Sequence, residues 1–198
     1  QRQMCIRDRD NPAMAYVHNL GSVSNSGKEG FMMLGYDDIY SIEYMYEKRM
    51  GYWKHDGKVT IFDAFEKLRD NYQAIMERCR AFDELIYDDA EKAGGKKYEE
   101  ICSASYRQVI SAHKLFTDKE GNLLWFSKEN NSNGCVNTVD LTYPSAPLFL
   151  VYNPELQKAM MTSIFEYSAS GRWNKPFPAH DLGTYPIANG QVYGGDMP

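Results

Sequence analysis

The sequence predicts a mainly α chain, a partial ring of helical hairpins of the α/α toroid type, entered through a short β region. Three observations predict it. Apolar residues recur every three or four positions from residue 60 to about 116, with Gly94-Gly95 breaking the run into two stripes. A third stripe follows Asn153-Pro154. Two long polar stretches with aromatic residues lie between and after these stripes, the kind of loop that carries function when a rigid scaffold gathers it at one end.

Each element follows in order. Residues 13–53 read as β, with Tyr40, Ile42, Tyr44 and Tyr46 on one apolar face, although Tyr36, Tyr40 and Tyr44 at i+4 keep a helix as the rival. The run GSVSNSGKEG is a loop. Phe62, Phe65, Leu68, Tyr72, Ile75, Cys79, Phe82 and Ile86 form the stripe of one long helix, with Asp63, Glu66 and Asp70 toward its positive end. Tyr98, Ile101, Cys102, Val109, His113 and Phe116 carry a second, antiparallel helix, ended by the turn TDKEGN. Leu123–Phe126 is a short strand, and ENNSNGCVNTVDLTYPSAP is an ordered but irregular stretch. Asn153 caps a third helix with Pro154 at its first position; Leu156, Met160, Ser163, Ile164 and Tyr167 form its stripe and Gly171 ends it. The remainder, RWNKPFPAHDLGTYPIANGQVYGG, is loop.

Composition excludes several functions. The chain has 198 residues, and no run in it approaches the roughly 20 apolar residues of a membrane-spanning helix. A net charge of −5 opposes a dedicated nucleic-acid binder, which needs a basic patch to neutralise phosphates. Cys79, Cys102 and Cys135 remain once Cys5 in the leader is set aside, an odd number without CxxC spacing, which opposes a zinc site. Cys79 and Cys102 sit on helix stripes and read as buried free thiols. No EF-hand, HExxH or phosphate-cradling glycine motif occurs, so no metal or cofactor is expected.

The candidate chemistry lies in the two loops. His180 and Asp181 are adjacent within AHDLGTYP, and both side chains can move protons. Asp181 also has a plain structural reading as a cap. Glu129 and Asp140 are the carboxylates of the earlier loop. A glycosidase needs two carboxylates roughly 5 to 9.5 Å apart, and Asp181, Glu129 and Asp140 could supply them. An amidase needs one carboxylate to activate water, or a thiol or hydroxyl nucleophile with a base, and Cys135 is the thiol off the helix stripes. Asn137, Tyr143, Trp173, Tyr185, Asn189, Gln191 and His180 are the candidate contacts for a small polar substrate, by amide hydrogen bonding or aromatic stacking.

The strings NGCVNTVDLTYPSAPLFL and HDLGTYPIANGQ are long and unusual, and with SYRQVISAHKLF and FEYSASGRWNKPFPAHDLGTYP they resemble the glutaminase A family. That resemblance implies a six-helical-hairpin, glycosidase-like domain. Residues 59–198 would be its N-terminal part, with residues 10–58 as the end of a preceding β-sandwich domain. It implies a secreted hydrolase converting glutamine to glutamate and ammonia, and a further acidic segment beyond Pro198. Hairpin toroids also host glycosidases, so a glycoside hydrolase with paired carboxylates is the alternative, and a non-catalytic binding module the third. The leader QRQMCIRDR has no apolar core and is similar to translated sequencing adapter from metagenomic assemblies, so residues 1–9 are set aside. An incomplete ring would expose apolar helix faces.

Overall fold

The computed structural model describes residues 3–7, 12–54, 57–129, 131 and 133–193. The chain divides into two compact units, Gln1–Gly35 and Tyr36–Pro198. The first holds an antiparallel ladder of β1 (Gln3–Arg7) and β2 (Pro12–Tyr16), with Gln3 opposite Tyr16, followed by irregular chain through the GSVSNSGKEG loop.

The second unit is mainly helical. Only two short strands occur in the stretch read as β after residue 35: β3 (Ile42–Tyr44) and β4 (Glu47–Arg49). Met45 and Tyr46, which join them, both have positive φ (49° and 69°), the geometry of a two-residue I′ hairpin turn. The backbone N–H of Tyr46 donates to Asn189 Oδ1 at 2.7 Å, and the Arg172 guanidinium lies 4.8 Å from the Tyr46 ring centre, so distant residues hold this unusual turn.

The single helix expected from residue 60 is two. Thr60 and Asp63 close a reciprocal capping box at the start of α1 (Ile61–Asp70). The break falls at Asn71, whose side-chain amide donates to Lys67 O at 2.8 Å. Asn competes for helix carbonyls in this way, and apolar periodicity does not register it. The chain resumes in α2 (Tyr72–Gly94), turns at Gly95 (φ 78°) and returns in α3 (Lys96–Ser111). The α2 stripe is covered only in part: Ile86 and Ala90 are its buried residues. Cys79, expected to be buried, is exposed, and Cys102 is half-buried; the buried thiol is Cys135.

The second helix also stops earlier than its stripe. His113 and Phe116, which fit its period, belong to β5 (His113–Thr117), paired antiparallel with β6 (Leu123–Ser127). The predicted TDKEGN turn joins them, and Asp118 accepts hydrogen bonds there from the backbone and side chain of Asn122, both at 2.7 Å. Strand β6 is buried on both faces. Leu124 and Phe126 enter a core with Ile42, Tyr44, Phe116, Val136, Tyr167 and Leu182, while Trp125 enters another with Phe149, Ala159 and Met160.

The stretch read as irregular contains α4 (Val139–Tyr152), with Pro144 and Pro147 inside it. The missing proline N–H groups leave the carbonyls of Asp140 and Tyr143, both exposed residues, free to meet water. Asn153 ends α4 and caps α5 (Pro154–Ala169), accepting from Leu156 N as the sequence predicts. Gly171 (φ 76°) follows the last turn. The C-terminal loop then runs back to β7 (Ile187–Ala188), which pairs parallel with β3, giving a sheet in the order β4-β3-β7. No helix among the described residues is long and apolar enough to cross a membrane.

Candidate functional site

Two loop segments meet at the start of α4. Cys135 bridges Thr184 across the segments, Val136 N donates to Gly183 O at 2.8 Å, and Val139 N donates to His180 O at 2.9 Å. The last bond satisfies one of the orphan donors at the α4 N-terminus. The AHDLGTYP loop is thereby laid against the NGCVNTVD segment, which brings together the two stretches singled out from sequence.

Asp181 stands at the centre of this junction and is fully buried. Its Oδ1 accepts from the backbone N–H groups of Gly183 (2.8 Å) and Val192 (3.0 Å). Its Oδ2 accepts from Tyr193 N (3.1 Å) and lies 3.0 Å from His180 Nδ1. Three backbone donors and one imidazole thus converge on one carboxylate, an arrangement that makes it an organiser of the loop.

His180 is the member of the pair with access to solvent. Its ring stacks on the exposed Tyr193 ring at 4.7 Å between centres. Its backbone N–H donates to Gln191 Oε1 at 2.7 Å, and Gln191 Nε2 donates to Tyr193 O at 3.0 Å. With Nδ1 directed at Asp181, the ring presents Nε2, which takes no hydrogen bond from the described residues. A buried carboxylate that fixes one imidazole nitrogen sets the tautomer and leaves the other nitrogen as a base.

Glu129 is half-buried, and its Oε1 accepts from Thr138 Oγ1 at 3.1 Å. Asp140 is exposed in the first turn of α4, where the helix dipole favours its charge. Burial first, then the charges of Asp181, Glu129 and Asp140, push the Cys135 thiol up to about 11. The charges of all three carboxylates act on this one buried thiol and hold it in its protonated form. This removes Cys135 as a nucleophile, since the thiolate is the reactive form.

The other sequence candidates divide between the site and the scaffold. Asn137 is fully buried with φ 52°, and its Nδ2 donates to Met160 O and Ser163 Oγ, both at 2.8 Å, so it ties the loop to α5. Trp173 packs in the core beside Tyr167 and Phe177 and donates from its indole to Phe177 O. Asn189 bridges the β3–β4 hairpin, donating to Glu43 Oε1 at 2.6 Å. Tyr185 lies under the ammonium groups of Lys114 and Lys128, 5.0 and 4.5 Å from its centre, and Lys114 pairs with Asp38 at 2.6 Å. Tyr143 is 83 % exposed on α4. Gln191 alone of these adjoins the His180–Tyr193 stack. Sequence reasoning missed Thr138 as the partner of Glu129, and Val192 and Tyr193 as backbone donors to Asp181. No local signal marks a backbone N–H eleven residues away. Among the described residues no group of His, Cys, Asp and Glu is arranged to hold a metal ion.

Comparison with known proteins gives these observations a context. The family model described as the glutaminase A six helical-hairpin domain matches residues 95–198, and a domain of unknown function (DUF5127) matches residues 2–89. Glutaminase A of Aspergillus oryzae is 34 % identical over 191 residues, covering 93 % of this chain and 27 % of its own length. A probable glutaminase of Arthroderma benhamiae is 34 % identical over 109 residues, covering 54 % of this chain and 12 % of its own. The chain thus spans about a quarter or less of the length of these curated relatives. No solved structure matches it.

Proposed function

The chain belongs to the glutaminase A family, and on that premise we propose that it contributes to a hydrolase converting L-glutamine to L-glutamate and ammonia, with His180 as general base. The observation that carries this reading is the His180–Asp181 pair, whose buried carboxylate lies 3.0 Å from Nδ1 of a partly exposed imidazole. In the proposed reaction His180 Nε2 takes a proton from water as its oxygen attacks the side-chain amide carbon. The C–N bond then breaks, and the same proton passes to the departing nitrogen. Asp181 acts through His180 and is a positioning residue. In this proposal Glu129 and Asp140 receive the cationic α-amino group of the substrate. Export from the cell belongs to the same proposal and rests on the family resemblance alone.

The test is ammonia release from L-glutamine, measured for the purified chain and for the longer Aspergillus relative. His180→Gln, and the equivalent change in the relative, should lower kcat by about 10²- to 10⁴-fold with little change in KM. Turnover that ignores that change would remove His180 as the base, and folded protein that releases no ammonia would return the chain to a binding role. The Thr138–Glu129 hydrogen bond at 3.1 Å, which ties Glu129 to the start of α4 where Asp140 lies, favours one second reading, a glycosidase using Glu129 and Asp140. A glycan panel distinguishes it: hydrolysis lost in Glu129→Gln, with glutamine untouched, selects the glycosidase.

A further inference from the structure

The chain contains two Asn–Gly steps, Asn133–Gly134 and Asn189–Gly190, and the fold treats them oppositely. In such a step the glycine backbone nitrogen can attack the asparagine side-chain amide carbon, because no Cβ hinders the approach. The attack needs both groups free to move toward each other. At the second step neither is free. Asn189 Oδ1 accepts from Tyr46 N at 2.7 Å, its Nδ2 donates to Glu43 Oε1 at 2.6 Å, and Gly190 N donates to Leu182 O at 2.9 Å. At the first step both are. Asn133 is exposed, and neither its Nδ2 nor the Gly134 N–H makes a hydrogen bond among the described residues. One contact remains: Cys135 N donates to Asn133 Oδ1 at 2.9 Å. That bond polarises the amide and is placed to take up charge on its oxygen as the carbon is attacked.

We propose that Asn133 is a site of spontaneous modification, at which its side-chain amide is lost as ammonia and the residue becomes aspartate or isoaspartate. The Gly134 nitrogen bonds to Asn133 Cγ as the Cγ–Nδ2 bond breaks, and the Gly134 proton leaves on the departing ammonia. A cyclic imide remains. Water then adds to one of its two carbonyl carbons, the bond from that carbon to nitrogen breaks, and the nitrogen regains a proton. Opening at Cγ gives aspartate; opening at the main-chain carbonyl gives isoaspartate. The only co-reactant is water. Isoaspartate lengthens the main chain by one carbon just before Gly134, whose carbonyl accepts from Tyr185 N at 3.0 Å, and so loosens the junction of the two loops. The reaction releases at most one ammonia per chain without added glutamine, and it does not depend on the chemistry proposed at His180.

The experiment incubates the folded chain in mildly alkaline buffer and follows both steps by peptide mass spectrometry, with isoaspartyl methyltransferase labelling to report isoaspartate. Asn133 should convert at least about tenfold faster than Asn189, whose three bonds must open first. In the urea-unfolded chain the two steps should react alike, which shows that the fold sets the difference. Asn133→Gln, one methylene too long for the same ring, should silence that position and leave Asn189 unchanged. Glu43→Ala, which removes the acceptor of Asn189 Nδ2, should speed the second step about fivefold, the worth of one net hydrogen bond. The isoaspartate fraction, separated by ion exchange, should melt below the fresh chain. Equal rates at the two steps in the folded chain would overturn the proposal, as would an Asn133 amide that survives in the folded chain and is lost only in urea. An isoaspartate fraction that melts with the fresh chain would overturn its effect on the junction.

Discussion

The α2–α3 hairpin and the loop junction around Asp181 are held together by opposite means. Across the hairpin, Phe82, Tyr106 and Tyr152 cluster with ring centres 5.2 to 6.2 Å apart, and Arg107 reaches Asp83 at 2.6 Å from a largely exposed position. At the junction a single buried carboxylate gathers three backbone N–H groups and an imidazole, with hardly any regular structure around it. The hairpin is made of many interchangeable contacts, each weak. The junction concentrates its stability in a few bonds that cannot be exchanged, because each buried donor has only one acceptor within reach.

Two substitutions would break that contrast most sharply. Asp181→Asn replaces an acceptor-only group with one that turns an NH2 toward backbone donors, and should cost about 3–5 kcal/mol in denaturant unfolding. Gly183→Ala should cost a comparable amount, on the order of 4 kcal/mol, because at φ 133° its Cβ would drive into the Ile187 carbonyl. A loss below about 1 kcal/mol in both would show that the junction is as redundant as the hairpin.

A smaller effect should appear with pH. His113 stacks on Trp125 at 5.0 Å, and burial lowers its pKa against the opposing bond to Val109 O. A group with a depressed folded-state pKa binds fewer protons folded than unfolded. Stability should therefore be full above about pH 6.5 and fall as pH drops below it. Melting curves should show that slope in the natural chain and lose it in His113→Phe, while Tyr or Gln elsewhere on β5 leaves it intact. The least effect is expected at the hairpin surface: Arg107→Ala should leave the melting temperature within measurement error, since exposed ion pairs contribute little.

The same contrast explains what the sequence discloses. Helical stripes are local, so α5 and the α2–α3 turn at Gly95 are readable to within a turn, while α1 and α2 merge into one stripe and the α3 stripe runs on to Phe116. The readings go astray where a local rule meets a non-local one. His113 and Phe116 continue the α3 period, yet the pairing with Trp125-bearing β6 outcompetes it. Pro144 and Pro147 disguise α4, whose freed carbonyls face outward. Site residues follow the same rule. His180 and Asp181 are conspicuous as neighbours, but which one is buried depends on Val192 and Tyr193 folding back over the loop. Trp173 and Asn189 carry the right chemistry for a ligand and spend it on the scaffold.

The parallel pairing of β3 with β7 has a consequence for synthesis of the chain. Glu43 meets Ile187, and Tyr46 waits for an Asn189 side chain 143 residues later. A ribosome making this protein at about 5–20 residues per second delivers β7 roughly 7 to 30 seconds after β3. Through that interval the small β3–β4 hairpin has an open edge, an invitation to pair with another nascent chain. The charges of Glu43, Glu47, Lys48 and Arg49 along so short a ribbon oppose such pairing.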